Sequence, residues 1–557
     1  MTVATVKGFP STSGDDYPLN LLAFLQHAAR TYPEVEVVSR RLDGSLVRYT
    51  YGEVYRRVCR LANALRKLGV RPGDRIGALD WNTHRYLESY FAVAGLGAVL
   101  LQVNPRISVA ERRYVLEHSG ARFLLVSESL LPVIEPLAGD LPGVEGYVVL
   151  SDGDAGGVRT RLSPVYGYEE LLAEAPEEIE WPAVDETSAA TACYTSGTTG
   201  RPKGVYHSHR ALYLHTLTMG LMVGLRARDV VMQTVPMFHA QGWGLFFCAP
   251  LAGAKLVLPG RYTLEDPSPL VGLLVAEKVT VTCGAPAIFL PMLEHLRRLD
   301  PKPDLSGLRM LSGATEPPLS MMRGFWELGG AEVIHAYGAT ETAPLATMNL
   351  LKPSLEGLGA EERWDLRRKQ GLPVCGIDLK VVTPDGREAP ADGKTVGEVW
   401  IRGPWVTTSY HDDQRTAEAF SEGYWRSGDA GTIDPNGYLK ITDRFKDLIK
   451  SGGEWISSID LENAIMAHPL VKEAAVIGVP HPKWEERPLA LVVLQEEAKG
   501  RVSEQEIRES LLPRFARWQL PDEVLFVDEI PKTSVGKFAK RVLRDTYRNR
   551  YGGGPER

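Results

Sequence analysis

Cysteine is scarce in this chain. Five occur in 557 residues (Cys59, Cys193, Cys248, Cys283 and Cys375), far apart and without metal-ligand spacing. That argues against a disulfide-stapled fold and a thiolate metal centre, and fits reduced, buried thiols in a cytoplasmic protein. Long apolar runs are missing too. The most apolar stretch, Phe91 to Val103, is shorter than the roughly 20 residues a membrane span needs; it reads as a buried helix followed by a strand. The opening residues, Met1 to Pro10, lack an apolar signal-peptide core. No basic excess points to nucleic acid, because 63 Lys and Arg face 70 Asp and Glu for a net charge of −7. Internal repeats and long low-complexity segments are absent. What remains is an ordinary globular composition, 44% hydrophobic and 24% charged, in a chain too long for one core.

Elements alternate along the chain. Thr50 and Glu53 form a capping box, Val54, Val58, Leu61, Leu65 and Leu68 recur on one helical face, and Gly69 ends the helix. Helix and strand then alternate through Ile76–Leu79, Leu96–Gln102, Ala110–His118 and Phe123–Val126, which predicts a parallel sheet with helical crossovers. Ser151 to Pro182 is polar and predicts a surface excursion. Short apolar runs resume at Val230–Val235, Lys255–Leu258, Val279–Cys283, Leu308–Leu311 and Glu332–His335. Their polar turns lie where open α/β sheets bind ligands. From Gly371 onward, Asp378–Val382, Gly397–Ile401 and Tyr438–Ile441 predict a smaller β-rich subdomain. Beyond a boundary near Asp443 follow a helix over Ile459–Ala467, strands at Ala474–Val479, Pro488–Leu494 and Glu523–Val527, and a basic terminal helix from Lys537. The expected class is α/β, with domains over residues 1–442 and 451–557 joined by a hinge at 443–450, the second domain being small, α+β and mobile.

Chemistry concentrates in Tyr194-Thr195-Ser196-Gly197-Thr198-Thr199-Gly200-Arg201-Pro202-Lys203-Gly204-Val205. Glycines bring backbone N–H groups close to an anion, hydroxyls add donors, and Lys203 supplies a point charge suited to phosphate. It is not a Walker loop, because Pro202 stands where that pattern needs glycine. A flexible Ser/Thr/Gly linker has the same composition, and composition alone leaves both readings open. Other stretches stand out downstream: Tyr337-Gly338-Ala339-Thr340-Glu341-Thr342, Trp425-Arg426-Ser427-Gly428-Asp429, the run Asp443 to Trp455, and Pro531-Lys532-Thr533-Ser534-Val535-Gly536-Lys537.

Together these stretches resemble, in order, the motifs of the adenylate-forming enzymes: acyl-CoA synthetases, adenylation domains of peptide synthetases, and beetle luciferases. The resemblance runs from about Leu19 to Tyr551. It implies that Thr195, Ser196, Gly197, Thr198, Thr199, Gly200 and Lys203 hold the phosphates of ATP. Glu341 is implied as a Mg²⁺ ligand with the Thr195 hydroxyl as its partner; Mg²⁺ is a hard cation that takes oxygen ligands and bridges phosphates. Tyr337 would stack on adenine, Thr340 approach the α-phosphate, and Gly313, His335 and Ala336 line the nucleotide pocket. Asp429 and Arg444 would hold the ribose, Lys446 act at the hinge, and Lys450 and Trp455 approach the adenylate. Lys537 would be the mobile catalytic lysine. Thr315-Glu316-Pro317 departs from the small residues usual after Gly313.

Pro236 to Gly244 resembles the aromatic motif facing the carboxylate substrate, which makes His239, Ala240 and Trp243 candidates for the acyl site. A tryptophan in Trp243's place gates the acyl tunnel of long-chain synthetases. With the longer matches at Asp443–Ser457 and Lys483–Pro488, it implies the bacterial medium- and long-chain branch. The implied activity is fatty acid–CoA ligation through an acyl-adenylate, with ATP and CoA as co-substrates. Short-chain, aryl or methylthio-propionate ligases would share every nucleotide motif. A peptide-synthetase module would be followed by a carrier, whereas this sequence stops at Arg557; luciferase-type oxygenation and a non-catalytic nucleotide-binding homologue are further alternatives. The resemblance also implies a homodimer through the N-terminal domain and transient membrane contact without an integral segment.

Overall fold

The computed structural model describes residues 6–14, 16–153, 158–195, 201–444, 448–452, 454–532 and 538–552. They form two compact units. One comprises residues 1–368, 372–378 and 401–425, and the other residues 369–371, 379–400 and 426–557.

The first unit contains two large sheets. In a seven-stranded sheet the order is Val165–Gly167, Gly146–Leu150, Ala121–Ser127, Arg75–Leu79, Val99–Gln102, Ala189–Thr195 and Lys203–Ser208. Every neighbouring pair is parallel except the last, an antiparallel hairpin that sets Thr195 opposite Lys203. The nine-stranded sheet has a parallel centre over Glu36–Arg40, Lys255–Leu258, Val230–Met232, Val281–Gly284, Arg309–Ser312 and Glu332–Gly338. Parallel strands need covering on both faces and so read as short, wholly apolar runs.

The helix Tyr51–Lys67 opens on a complete Thr50–Glu53 capping box and buries Val54, Val58, Leu61 and Leu65. The helix His84–Gly95 is buried throughout and the strand Val99–Gln102 follows it. Ser151–Pro182 lies mostly at the surface, as its polarity predicts, but it is not all loop. Within it Val165–Gly167 joins the sheet as an edge strand, and Tyr168–Glu174 is a helix. Two of its polar side chains have internal partners: the Tyr168 hydroxyl donates to buried Glu88, and Glu169 accepts from both Arg57 and Arg85. Those partners are distant in sequence, so local composition does not reveal them.

In the second unit, Asp429–Ile433 pairs antiparallel with Leu439–Arg444. A further five-stranded sheet centres on the long hairpin Val471–His481 and Glu485–Leu494. The terminal helix Lys540–Tyr547 is tied to the helix Ser458–Met466 by a buried ion pair, Lys540 Nζ to Glu462 at 2.7 Å. Burial pushes the Glu462 carboxyl up to about 6.

Candidate active site

Thr195 and Lys203 face each other across the hairpin that closes the seven-stranded sheet. Ser196, Gly197, Thr198, Thr199 and Gly200 lie outside the described residues, as do Lys446 and Lys537. The Lys203 ammonium sits 4.4 Å from the centre of the Tyr410 ring. Burial pulls its pKa down, while the Glu341 carboxylate acts the other way. Tyr410 in turn donates its hydroxyl to Glu341 Oε1 at 2.7 Å and accepts from the Trp425 indole at 3.2 Å. Burial, and the carboxylate beside it, push the Tyr410 phenol well up, so it stays a donor. Tyr410 is placed by backbone pairing, because the His411 N–H donates to the Gly204 carbonyl at 2.9 Å. Lys203, Tyr410 and Glu341 thus form one charged cluster at the edge of the sheet, with Tyr410 and Glu341 buried and Lys203 half-buried.

Glu341 lies in the turn Thr340–Thr342, directly after the strand Glu332–Gly338. It is 7% exposed, and its carbonyl accepts from the Thr407 N–H. The sharp exit from that strand requires glycine: a Cβ on Gly338 would stand 1.4 Å from the Pro344 carbonyl oxygen. Earlier on the strand, His335 is buried and its Nδ1 donates to the Arg368 carbonyl. Arg368 also pairs with Glu316 at 2.7 Å. The unusual residue after Gly313 is therefore occupied by an ion pair at the edge of the nucleotide candidates.

Gly313 itself is a close-approach position. A Cβ there would lie 2.6 Å from the Ala336 carbonyl oxygen and 3.5 Å from the Trp243 ring. Gly313, Ala336 and Trp243 are thus neighbours, and Tyr337 and Thr340 follow Ala336 in the chain.

The acid-loop candidates have an uncommon backbone. Ala240, Gln241, Gly242, Trp243 and Gly244 all have positive φ, from 45° to 76°. For residues other than glycine this costs roughly 1–2 kcal/mol each, and it persists only where the surroundings over-determine it. Two buried amides, Gln233 and Gln102, bond this run directly, and a third, Asn82, fixes the segment that leads into it. Gln233 donates to the carbonyls of Val235 and Gly242, both at 2.7 Å, and accepts from the Phe246 N–H. Asn82 donates to the carbonyls of Gln233, Thr234 and Val235 and accepts from the Met237 N–H. Gln102 accepts from the Gln241 N–H at 2.8 Å. His239, half-buried, enters the loop in extended geometry.

In the second unit, Asp429 and Arg444 are register partners on adjacent strands. Their side chains meet at 3.0 Å, and the Asp429 N–H donates to Ser427 Oγ. Lys450 and Trp455 are likewise opposite each other in a hairpin. Lys450 pairs with Glu485 at 3.1 Å, and Trp455 is 38% exposed.

Motif reading alone does not find Tyr410, or the Asn82, Gln102 and Gln233 trio. Tyr410 lies in a loop with no local pattern, and the amides bond backbone groups that leave no mark in a sequence. Trp425 was in view as part of a motif, but only the geometry shows that it holds Tyr410.

A carboxylate and a hydroxyl are a hard oxygen donor set, the kind that magnesium takes, with its remaining positions filled by phosphate and water. Glu341 keeps one oxygen on Tyr410, which fixes the carboxylate. The residues fit a magnesium ion in that chemical sense. Among the described residues there is no cluster of three or more His, Cys, Asp or Glu that would form a protein-only metal cage.

The AMP-binding enzyme profile matches residues 25–411, and that of the AMP-binding enzyme C-terminal domain matches residues 460–537. A long-chain-fatty-acid–CoA ligase of Thermus thermophilus is 46% identical, covering 98% of this chain and 99% of that protein. A 3-methylmercaptopropionyl-CoA ligase of Ruegeria lacuscaerulensis is 40% identical over 96% of this chain and 98% of its own. Among solved structures, an anthranilate CoA ligase in complex with anthranoyl-AMP superposes with a TM-score of 0.82 at 28% identity, covering 96% of this chain and 99% of that one. A profile spanning most of the chain and relatives matched end to end lead to one conclusion: this protein belongs to the AMP-binding enzyme family.

Proposed function

We propose that this protein is a fatty acid–CoA ligase acting on medium- or long-chain acids in lipid metabolism. The observation that carries the reading is the convergence of Lys203 and Glu341 on Tyr410, together with an aromatic loop at Trp243 that packs on Gly313 and Ala336. In the first half-reaction a carboxylate oxygen attacks the α-phosphorus of ATP and pyrophosphate leaves, giving the acyl-adenylate. In the second, the CoA thiolate attacks the acyl carbonyl and AMP leaves. Neither ground-state partner is reactive, so positioning and charge neutralisation supply most of the acceleration.

Each residue then has a task. Lys203, with Ser196, Gly197, Thr198, Thr199 and Gly200, holds the β- and γ-phosphates. A magnesium ion held by Glu341 and Thr195 would neutralise phosphate charge. Tyr337, Gly313, His335 and Ala336 form the adenine side, and Asp429 and Arg444 take the ribose hydroxyls. Lys450 and Trp455 approach the adenylate. Lys537 bridges the acid and the α-phosphate in the first half-reaction. Residues 443–450, with Lys446, act as the hinge that withdraws Lys537 for the second. His239, Ala240 and Trp243 border the acyl chain, whose length is graded by roughly 0.8 kcal/mol per buried methylene.

The test is ATP- and CoA-dependent AMP release across saturated acids from acetate to palmitate, with benzoate and methylthio-propionate included. A maximum at medium or long chains is expected. Lys537→Ala should abolish pyrophosphate exchange while keeping thioester formation from preformed acyl-adenylate and CoA. Activity confined to acetate, benzoate or methylthio-propionate would overturn the chain-length assignment and leave the ligase. No turnover with any acid would revive a non-catalytic nucleotide-binding protein.

No helix among the described residues is long and apolar enough to cross a membrane. A cytoplasmic enzyme that meets fatty substrates by transient membrane contact fits that observation. We propose a homodimer; light scattering should give twice the chain mass of 61.4 kDa, and a monomeric mass at working concentration would refute it.

A further inference from the structure

One side chain connects the acid loop to the phosphate segment. His207 lies on the strand Lys203–Ser208, 2% exposed. Its Nε2 is 2.9 Å from the Thr340 carbonyl, and its Nδ1 is 2.8 Å from Gln241 Nε2. A carbonyl only accepts, so Nε2 carries the proton; Nδ1 is then the acceptor, and the Gln241 amide donates to it. Burial lowers the ring's pKa to about 4, so this neutral tautomer persists at ordinary pH. Gln241 is fully buried and sits among the left-handed residues that end at Trp243 and Gly244. Its other links, the N–H to Gln102 and Nε2 to Thr191 Oγ1, run back to the seven-stranded sheet. Thr340 is the residue before Glu341. The ring therefore spans from the loop that borders the acid to the turn that carries Glu341.

We propose that His207 is a positioning residue whose two ring nitrogens set the acid loop against the Thr340–Glu341 turn, and so fix where the substrate carboxylate lies relative to the α-phosphate. This rests on the ligase reading given above. In-line attack tolerates little misplacement: an error near 1 Å costs on the order of 100-fold in rate. A packed imidazole with two directed hydrogen bonds, on a strand that also bears Lys203, is a rigid way of holding two loops that come from distant parts of the chain.

The two bonds can be cut separately. His207→Gln can place an N–H near the Nε2 position, keeping the bond to Thr340 and losing the acceptor for Gln241. His207→Asn can place an oxygen near Nδ1, keeping Gln241 and losing Thr340. Pyrophosphate exchange should then split in opposite senses. The glutamine variant should raise the acid KM roughly tenfold and flatten the chain-length profile, with the ATP KM little changed. The asparagine variant should lower kcat roughly 10- to 100-fold with the acid KM near wild type. Should the His207 variants not fold, Gln241→Met, which retains the backbone bond to Gln102, is expected to behave as the glutamine variant does.

Thermal melts accompany each assay. Kinetic constants within twofold of wild type in folded variants would overturn the proposal. So would losses of kcat that only track the folded fraction with both KM values unmoved. If the wild-type protein itself exchanges no pyrophosphate with any acid, the ligase reading falls, and this inference with it.

Discussion

Glu341→Gln should lower acid-dependent pyrophosphate exchange by roughly 10²–10³-fold, the scale on which a single stabiliser of transition-state charge acts. The substitution is nearly isosteric. Its amide oxygen can still accept from the Tyr410 hydroxyl, whose bond to Glu341 Oε1 is 2.7 Å, so the buried network that Trp425 completes is kept. What disappears is the negative charge. A neutral amide oxygen is a poorer ligand for a hard dication than a carboxylate, and the loss falls on the step in which phosphate charge shifts to pyrophosphate. Lys203 also loses its countercharge: burial already lowers its pKa, and Glu341 is the first group opposing that fall. The rate should therefore recover in part as magnesium is raised, with half-saturation displaced to higher concentration. Tyr410→Phe separates the contributions, because it keeps the ring under Lys203 and the charge on Glu341 and removes the hydroxyl with its bonds to Glu341 and from the Trp425 indole; a loss of at most roughly 10- to 150-fold is expected, the 1.5–3 kcal/mol of a hydrogen bond to a charged group. Exchange by Glu341→Gln within about threefold of wild type at limiting magnesium would remove Glu341 from the metal site.

The parts that could be read from the sequence are those whose cause is local. Thr50 and Glu53 cap a helix through contacts three residues apart, and the structure contains both halves of that box. Short apolar runs between polar turns marked the parallel strands because such strands are covered on both faces. The motifs that place Lys203, Glu341 and Asp429 as candidates are contiguous, and so are recognisable in one chain. The features that escaped depend on long-range partners. Tyr168 and Glu169 look like surface residues until Glu88, Arg57 and Arg85 come to meet them. Gln102 and Gln233 would pass as strand-end amides, yet they hold a run of left-handed residues by bonding backbone groups. His207 looks like one more histidine in His207-Ser208-His209, and its significance lies in Thr340 and Gln241, which folding brings to it.

Those histidines also make the first unit sensitive to acid. Burial lowers His207 and His209 to about 4 and His215 to about 3, from an ordinary 6.5, and holds His84 well below its usual value. A histidine depressed in this way contributes fully above the unfolded pKa. Below 6.5 the unfolded chain takes up a proton that the folded chain refuses, and stability is lost as pH falls toward the folded value. Between pH 7 and 5 each such group removes up to about 2 kcal/mol, since a full unit of differential titration is worth about 1.4 kcal/mol. Asp80 and Glu88 oppose them: burial raises both, Asp80 to about 6, so their folded forms bind a proton first and gain stability within the same window. Three or four histidines outweigh two carboxyls, and the remaining loss of several kcal/mol is a large share of a typical 5–15 kcal/mol. Tm should therefore fall by on the order of 10 °C between pH 7 and 5. His209→Asn supplies the control. His209 Nδ1 accepts from the Leu21 N–H at 3.2 Å, a bond that a non-titrating amide oxygen can take over. That variant should melt lower at neutral pH, because its packing is poorer, but with a shallower dependence on pH. A Tm that stays level from pH 7 to 5, or a variant that keeps the full wild-type slope, would mean that the buried histidines do not govern acid stability.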